Sequence, residues 1–212
     1  QFVGPSCIVP EAGDYFAFDD TGIPILIVRQ SDGSLKAFVN ICSHRGAPLN
    51  ECAHGKAKKG RLFACPYHGW TYDLEGKLIG VPFGKEGFDS IDRDTLGLRP
   101  LDVQEKHGMV FVMPNPDMTF DIDELLGGIQ ERLCGFGFAD HYYLGAKRVF
   151  TDFSWKLNMD TFHEYYHFEF LHPNSIATMA YSNTANYKQY GRNHSMGSPA
   201  LAINELKDIP ED

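Results

Sequence analysis

No apolar run among these 212 residues approaches the ~20 that a membrane span requires, and the stretch from Gln1 does not read as a signal peptide. Positive charge is scarce. There are 19 Lys and Arg against 28 Asp and Glu, and the net charge of −9 argues against nucleic acid as a partner. Cysteine is scarce too. Cys7, Cys42, Cys52, Cys65 and Cys134 lack the paired spacing of a disulfide framework, so a reducing cytoplasm is the expected setting. Internal repeats and low-complexity segments are absent. What is left is globular in composition, 43% hydrophobic and 22% charged, enough for one large domain or two small ones.

Two of those cysteines sit in the most informative stretch of the chain. It runs Cys42-Ser43-His44-Arg45-Gly46, then a basic loop, then Cys65-Pro66-Tyr67-His68-Gly69-Trp70, a spacing of C-x-H-x20-C-x2-H. Two Cys and two His in paired loops suit either a tetrahedral zinc site or a [2Fe–2S] cluster with two thiolates on one iron and two imidazoles on the other. Zinc knuckles usually pair Cys with Cys and His with His. Here each half offers one of each, which suits the cluster. Gly46 and Gly69 are expected to let backbone amides approach the bridging sulfides.

The segment resembles the cluster-binding loops of Rieske proteins, and Cys-Pro-Tyr-His-Gly-Trp is similar to their oxygenase branch. The resemblance implies a cluster held by Cys42, His44, Cys65 and His68. Respiratory members of the family carry a further Cys in each loop, joined as a disulfide, and a Ser two residues after the second His. The matching positions are Ala47, Tyr67 and Trp70. Fewer hydrogen bonds to sulfur imply a potential near the low end of the Rieske range of roughly −150 to +300 mV.

Residues from about 14 to 112 read as short strands broken by turns. Ile25 to Val28 is an apolar run, with turns at Asp32-Gly33, Glu75-Gly76 and His107-Gly108 and strand-like stretches between them. Leu98 to Glu105 reads as a single strand. The pattern predicts a small antiparallel sandwich or barrel with the ligand loops at one tip. Pro114-Asn115-Pro116 breaks it, giving expected domains at 1–115 and 116–212. In the second, an acidic-capped helix is expected from Asp121 to about Leu133, a strand from Tyr142 to Phe150, and a helix from Trp155 to about Phe168. Residues 181–197 read as loop with one short helix.

That last predicted helix carries a second ligand cluster. His163-Glu164-Tyr165-Tyr166-His167 matches the H-E-x-x-H zinc metalloprotease pattern, although Phe170 and Pro173 stand where the extended form needs Gly and His. Alternatively, Trp155-Lys156-Leu157, Glu164, Tyr166-His167 and His172-Pro173 resemble the catalytic segment of Rieske non-haem iron oxygenases, in which an Asp usually stands at the Glu164 position. That resemblance makes His167 and His172 two ligands of a 2-His-1-carboxylate Fe(II) site with open positions for O2. Glu164 becomes a second-sphere group that orients His167 and bridges to a neighbouring subunit's cluster. The third ligand is expected beyond residue 212, because Glu205, Asp208, Glu211 and Asp212 stand in no recognisable context.

The resemblance implies an α+β chain: an all-β Rieske domain followed by the first part of an α+β catalytic domain, an antiparallel sheet with helices. It implies an aromatic-ring-hydroxylating α-subunit, with electrons from NAD(P)H arriving through a separate reductase or a ferredoxin. O2 and an aromatic or other small organic substrate would react by hydroxylation, dihydroxylation or oxidative demethylation. A homotrimer, with or without β-subunits, is expected. A stand-alone Rieske electron carrier is the alternative, and the downstream histidine pair argues against it.

Overall fold

The computed structural model describes residues 1–50 and 53–206. Cys52, Asp208, Glu211 and Asp212 lie outside the described residues. The chain divides into two compact units. One is Gln1–Leu125 with Gln130–Leu144, and the other is Leu126–Ile129 with the chain from Gly145 onward.

The first unit is built from strands β1 (Phe2–Pro5), β2 (Asp14–Phe18), β3 (Ile25–Arg29), β4 (Leu35–Val39), β5 (His54–Lys56), β6 (Leu62–Ala64), β7 (Thr71–Asp73), β8 (Leu78–Gly80), β9 (Pro100–Leu101), β10 (Val103–Lys106) and β11 (Met109–Val112). They form three antiparallel sheets. A central sheet runs β5-β2-β3-β4-β9, with β1-β11-β10 and β6-β7-β8 as smaller sheets.

The arrangement follows from β3. Its residues Ile25, Leu26, Ile27 and Val28 are all at or below 1% exposure, so both faces of the strand are covered. Successive side chains of a strand point to opposite faces. Ile25 and Ile27 therefore enter one core with Val3, Ala37, Leu101, Val110 and Val112. Leu26 and Val28 enter the other, with Phe38, Phe63, Trp70, Tyr72 and Leu78. A continuous apolar run, rather than an alternating one, is the sequence signature of such double-sided burial. At the end of β3 the half-sequestered pair of Arg29 and Glu105 ties the central sheet to β10: Arg29 Nη1 lies 2.5 Å and Nη2 3.0 Å from the Glu105 carboxylate. Arg29 Nε also donates to Val9 O at 2.9 Å.

The predicted hairpins stand, with two refinements. The stretch expected as one strand from Leu98 to Glu105 is divided at Asp102, so that β9 pairs with β4 while β10 pairs with β11. The chain changes sheets there, which a single-strand reading cannot express. The turn at His107-Gly108 has positive φ at both residues, 52° and 73°, the two-residue geometry that matches strand twist.

Beyond Val112 the expectations need more correction. The single helix expected from Asp121 to Leu133 is two short ones. The first, after α1 (Gly84–Gly87), is α2 (Ile122–Leu126), capped by Asp121 Oδ1 accepting from Asp123 N at 2.7 Å. The second is α3 (Gln130–Cys134). Between them Gly127, at φ 52°, breaks the α-helical run. Residues 142–150 are not a strand. Tyr142, Leu144 and Phe150 are 90%, 99% and 86% exposed, and no strand among the described residues pairs with this stretch, so its β-propensity goes unused. Strand β11 ends at Val112, and the compact unit takes in Gln130–Leu144 as well as Gln1–Leu125.

The second unit holds α4 (Trp155–Phe162), α5 (Phe168–Leu171) and a hairpin of β12 (Asn186–Tyr190) and β13 (Asn193–Gly197). The hairpin replaces the expected loop and short helix. Its two-residue connection is Gly191-Arg192, with glycine first at φ 65°, and Asn193 Nδ2 donates to Leu126 O at 3.1 Å. Helix α4 starts where Ser154 Oγ accepts from Lys156 N at 3.3 Å and stops at Phe162, not Phe168. There the His163 amide is shared between the Met159 and Asp160 carbonyls.

Because β3 is packed from both sides, Ile27→Ala is expected to cost about 2–5 kcal/mol. Urea unfolding followed by tryptophan fluorescence measures it. A loss below about 1 kcal/mol would mean that the outer sheet of β1, β11 and β10 contributes little to the core.

Candidate metal centres

The two ligand loops come from different sheets and fold the same way. Strand β4 leads into Cys42–Gly46, and β6 leads into Cys65–Gly69. In the first loop Cys42 N donates to Ala47 O at 2.8 Å and Gly46 N to Cys42 O at 2.9 Å. In the second, Cys65 N donates to Trp70 O at 2.8 Å and Gly69 N to Cys65 O at 2.9 Å. Gly46 and Gly69 have φ of 74° and 72°, a conformation costly to other residues. Their amides close the loops on themselves.

Cys42 and Cys65 are buried, at 2% and 4% exposure. His44 is half-buried and His68 exposed, with ring centroids 4.7 Å apart at 69°. The thiols thus lie inside and the imidazoles at the surface. His44 Nδ1 is buried with no hydrogen-bond partner, and a buried polar atom left so is expensive unless a metal takes it. Burial, with smaller contributions from His68 and Arg45, holds the His44 pKa below the ordinary imidazole value, favouring the neutral ring that ligates metal. Burial pushes the Cys42 thiol up, and a coordinated metal reverses that by taking the thiolate. Among the described residues no group of three or more His, Cys, Asp or Glu side chains stands close enough to hold a single ion.

Tyr72 is the residue that the motif reading missed. Its hydroxyl accepts from Ser43 N at 3.1 Å and lies 3.2 Å from Cys42 Sγ. A metal-bound Cys42 thiolate carries no proton, so toward it the Tyr72 hydroxyl would be the donor. The side chain is fully buried, and burial followed by the contact with Cys42 raises its pKa far above the ordinary phenol, so it remains a donor. The signal was available: on β7 Tyr72 follows Trp70 by two, hence shares its face.

In the second unit the H-E-x-x-H stretch is not helical. α4 ends at Phe162 and α5 begins at Phe168, so His163 and His167 do not stand one turn apart on one helix, as the metalloprotease pattern requires. Instead the break forms a turn in which the Glu164 carboxylate accepts from His167 N at 3.3 Å and meets His167 Nδ1. The hydrogen bond to His167 holds the Glu164 carboxyl below its ordinary pKa. Glu164 reaches His167 through this turn, not along a helix face as expected. With Nδ1 engaged, Nε2 of His167 is the nitrogen left for a metal. His167 and His172 bracket α5 with ring centroids 5.4 Å apart, close enough to share one ion.

Two family models match this chain. The Rieske [2Fe-2S] domain covers residues 1–96, and the ring hydroxylating alpha subunit (catalytic domain) covers residues 138–210. The glycine betaine monooxygenase oxygenase subunit of Chromohalobacter salexigens is 32% identical over 178 residues, 84% of this chain and 39% of that protein. The anthranilate 1,2-dioxygenase large subunit of Burkholderia cepacia is 33% identical, over 81% of this chain and 41% of that one. The solved structure of the quaternary ammonium Rieske monooxygenase CntA superposes with a TM-score of 0.83 and 28% identity, covering 95% of this chain and 56% of that one. The chain belongs to the Rieske oxygenase α-subunit family. It spans about 40% of the length of the curated relatives it matches.

Membership brings a Rieske cluster and a mononuclear iron as the family's cofactors, and the donor sets above fit both. The described fold, antiparallel sheets followed by the start of a catalytic domain, is that of the family. Among the described residues no helix is long and apolar enough to cross a membrane.

The Tyr72 hydroxyl is placed to donate to a Cys42 thiolate. A donor near thiolate sulfur favours the reduced, more negative cluster. Tyr72→Phe should therefore lower the midpoint, by about 59 mV if the bond favours reduction tenfold in a one-electron couple. Spectroelectrochemical titration measures this. An unchanged or higher midpoint would mean that the hydroxyl proton does not serve Cys42.

Proposed function

We propose that this chain carries the electron-accepting half, and the start of the oxygen-activating half, of a Rieske non-haem iron oxygenase. Cys42 and Cys65 hold one iron of the [2Fe–2S] cluster from the interior, and His44 and His68 hold the other at the surface. His167 and His172 hold a mononuclear Fe(II). The pairing that carries this reading is a buried Cys42 and Cys65 under an adjacent His44 and His68, with His167 and His172 adjacent in the second unit. The monooxygenase and dioxygenase relatives support it.

The bound metals would supply one-electron relay and O2 activation. The chain's own residues set the terms. His68, exposed and tilted at 35° against the 60%-exposed Tyr67 with centroids 3.8 Å apart, offers the contact through which a reductase or ferredoxin, fed by NAD(P)H, delivers electrons. Tyr72 stabilises the reduced state through Cys42. Glu164 fixes the His167 tautomer and, in a trimer with or without β-subunits, links it to the partner's cluster histidine. A small organic substrate is hydroxylated, dihydroxylated or demethylated, and a cytoplasmic setting suits the free thiols. The relatives act on an aliphatic quaternary amine and on an aromatic acid, so the substrate class extends beyond aromatic hydrocarbons.

Iron analysis of the full-length protein tests the reading. About three irons per chain are expected, two in the cluster and one mononuclear. His167→Ala and His172→Ala should each lose the mononuclear iron and keep the cluster's colour, while His163→Ala keeps all iron. Glu164→Gln should also keep all iron yet slow single-turnover transfer from the cluster about tenfold, or about 1.4 kcal/mol. Only two irons in the unmodified protein would make it an electron carrier instead.

A further inference from the structure

The two ligand loops must stay at a fixed separation to hold one cluster, yet no backbone hydrogen bond among the described residues joins them. Each is closed on itself, and they leave different sheets. What crosses between them is side-chain contact. Tyr72 reaches from β7 to Cys42 and Ser43. The larger contact is Trp70. It belongs to the second loop, is 3% exposed, and lies flat on the imidazole of His44 in the first, with ring centroids 4.8 Å apart at 7°. Phe88 stands edge-on to both rings, 5.9 Å from His44 at 89° and 5.8 Å from Trp70 at 86°. No hydrogen bond among the described residues holds the His44 ring, so this stack is what sets its plane. His68 has no such slot and is exposed.

We propose that Trp70 is a positioning residue that braces the two loops non-covalently, by clamping the His44 imidazole from the opposite loop, and thereby slows loss of the [2Fe–2S] cluster. The inference rests on the cluster reading above. It assigns the two imidazole ligands different duties: His44 is the fixed strut and His68 the open contact. A stacked aromatic pair is worth about two- to tenfold in an equilibrium or rate. That sets the size of the effect.

The test is release of the cluster from the full-length holoprotein into excess chelator, followed by its visible absorbance. Trp70→Leu fills the core without a ring and should shorten the half-life by about three- to tenfold. Trp70→Phe restores a stack and should stay within about twofold of wild type. Ile27→Ala, which weakens the opposite core, should release at the wild-type rate. An unchanged half-life in Trp70→Leu overturns the proposal, as does an equal acceleration in Ile27→Ala, which would make release a matter of general stability. Where Trp70→Leu does not fold, Trp70→Met, which fills the slot without a ring, takes its place: its half-life should shorten likewise and one of its two imidazole nitrogen couplings in pulsed EPR should shift, and an unchanged half-life with two unchanged couplings overturns the proposal. A wild-type protein with no cluster signal defeats the cluster reading itself, before any variant is compared.

Discussion

Burial of β3 on both faces is the constraint on which the rest depends. Because Leu26 and Val28 must be covered, the small sheet of β6, β7 and β8 packs on the central sheet through Phe63, Tyr72 and Leu78. Strand β4 lies beside β3 in the central sheet, and β6 lies in the small one. One ligand loop leaves each. The same packing that hides aliphatic side chains therefore brings Cys42 and Cys65 into one interior cluster. Dispersion and hydrophobic burial, not directed bonds between the loops, determine where the sulfurs stand.

That origin makes the site graded from inside to outside. The thiols and Tyr72 belong to the core, where a low dielectric strengthens the bond from hydroxyl to sulfur. The imidazoles lie at the rim, one clasped by Trp70 and Phe88 and the other open beside Tyr67. Charge added to a bound cluster would be stabilised from within and exchanged from without. The second unit uses a different device. There the backbone breaks between Phe162 and Phe168, and Glu164 stabilises the break by accepting from His167. A helix through this stretch would turn the same residues into a metalloprotease-like pair; the turn instead leaves His167 and His172 on either side of α5.

The first unit was legible because its signals are local. An apolar run of four, glycine turns at Asp32-Gly33, Glu75-Gly76 and His107-Gly108, and paired Cys and His each encode their own geometry within a few residues. What was not legible depended on partners distant in sequence. Asp102 divides a strand because two different sheets claim its halves. Tyr142 to Phe150 has strand composition, but no strand among the described residues pairs with it. Gly127 interrupts a helix whose apolar spacing otherwise continues, and Gly191-Arg192 makes a hairpin in a polar stretch with weak alternation. Tyr72 fell outside the motif because its role arises from the face of β7 it occupies, not from ligand spacing. The rings of His167 and His172 do come together, whereas the helix expected to run to Phe168 ends at Phe162.

Every step from fold to function passes through one claim, that Cys42, His44, Cys65 and His68 hold a [2Fe–2S] cluster with thiolates on one iron and imidazoles on the other. Low-temperature EPR of the reduced full-length protein tests it most directly, with nitrogen couplings read by pulsed methods. A [2Fe–2S] signal bearing two imidazole nitrogens, lost on replacing either His44 or His68, is the expected result. An all-thiolate ferredoxin signal, or a colourless protein that binds zinc at these four residues, would contradict it.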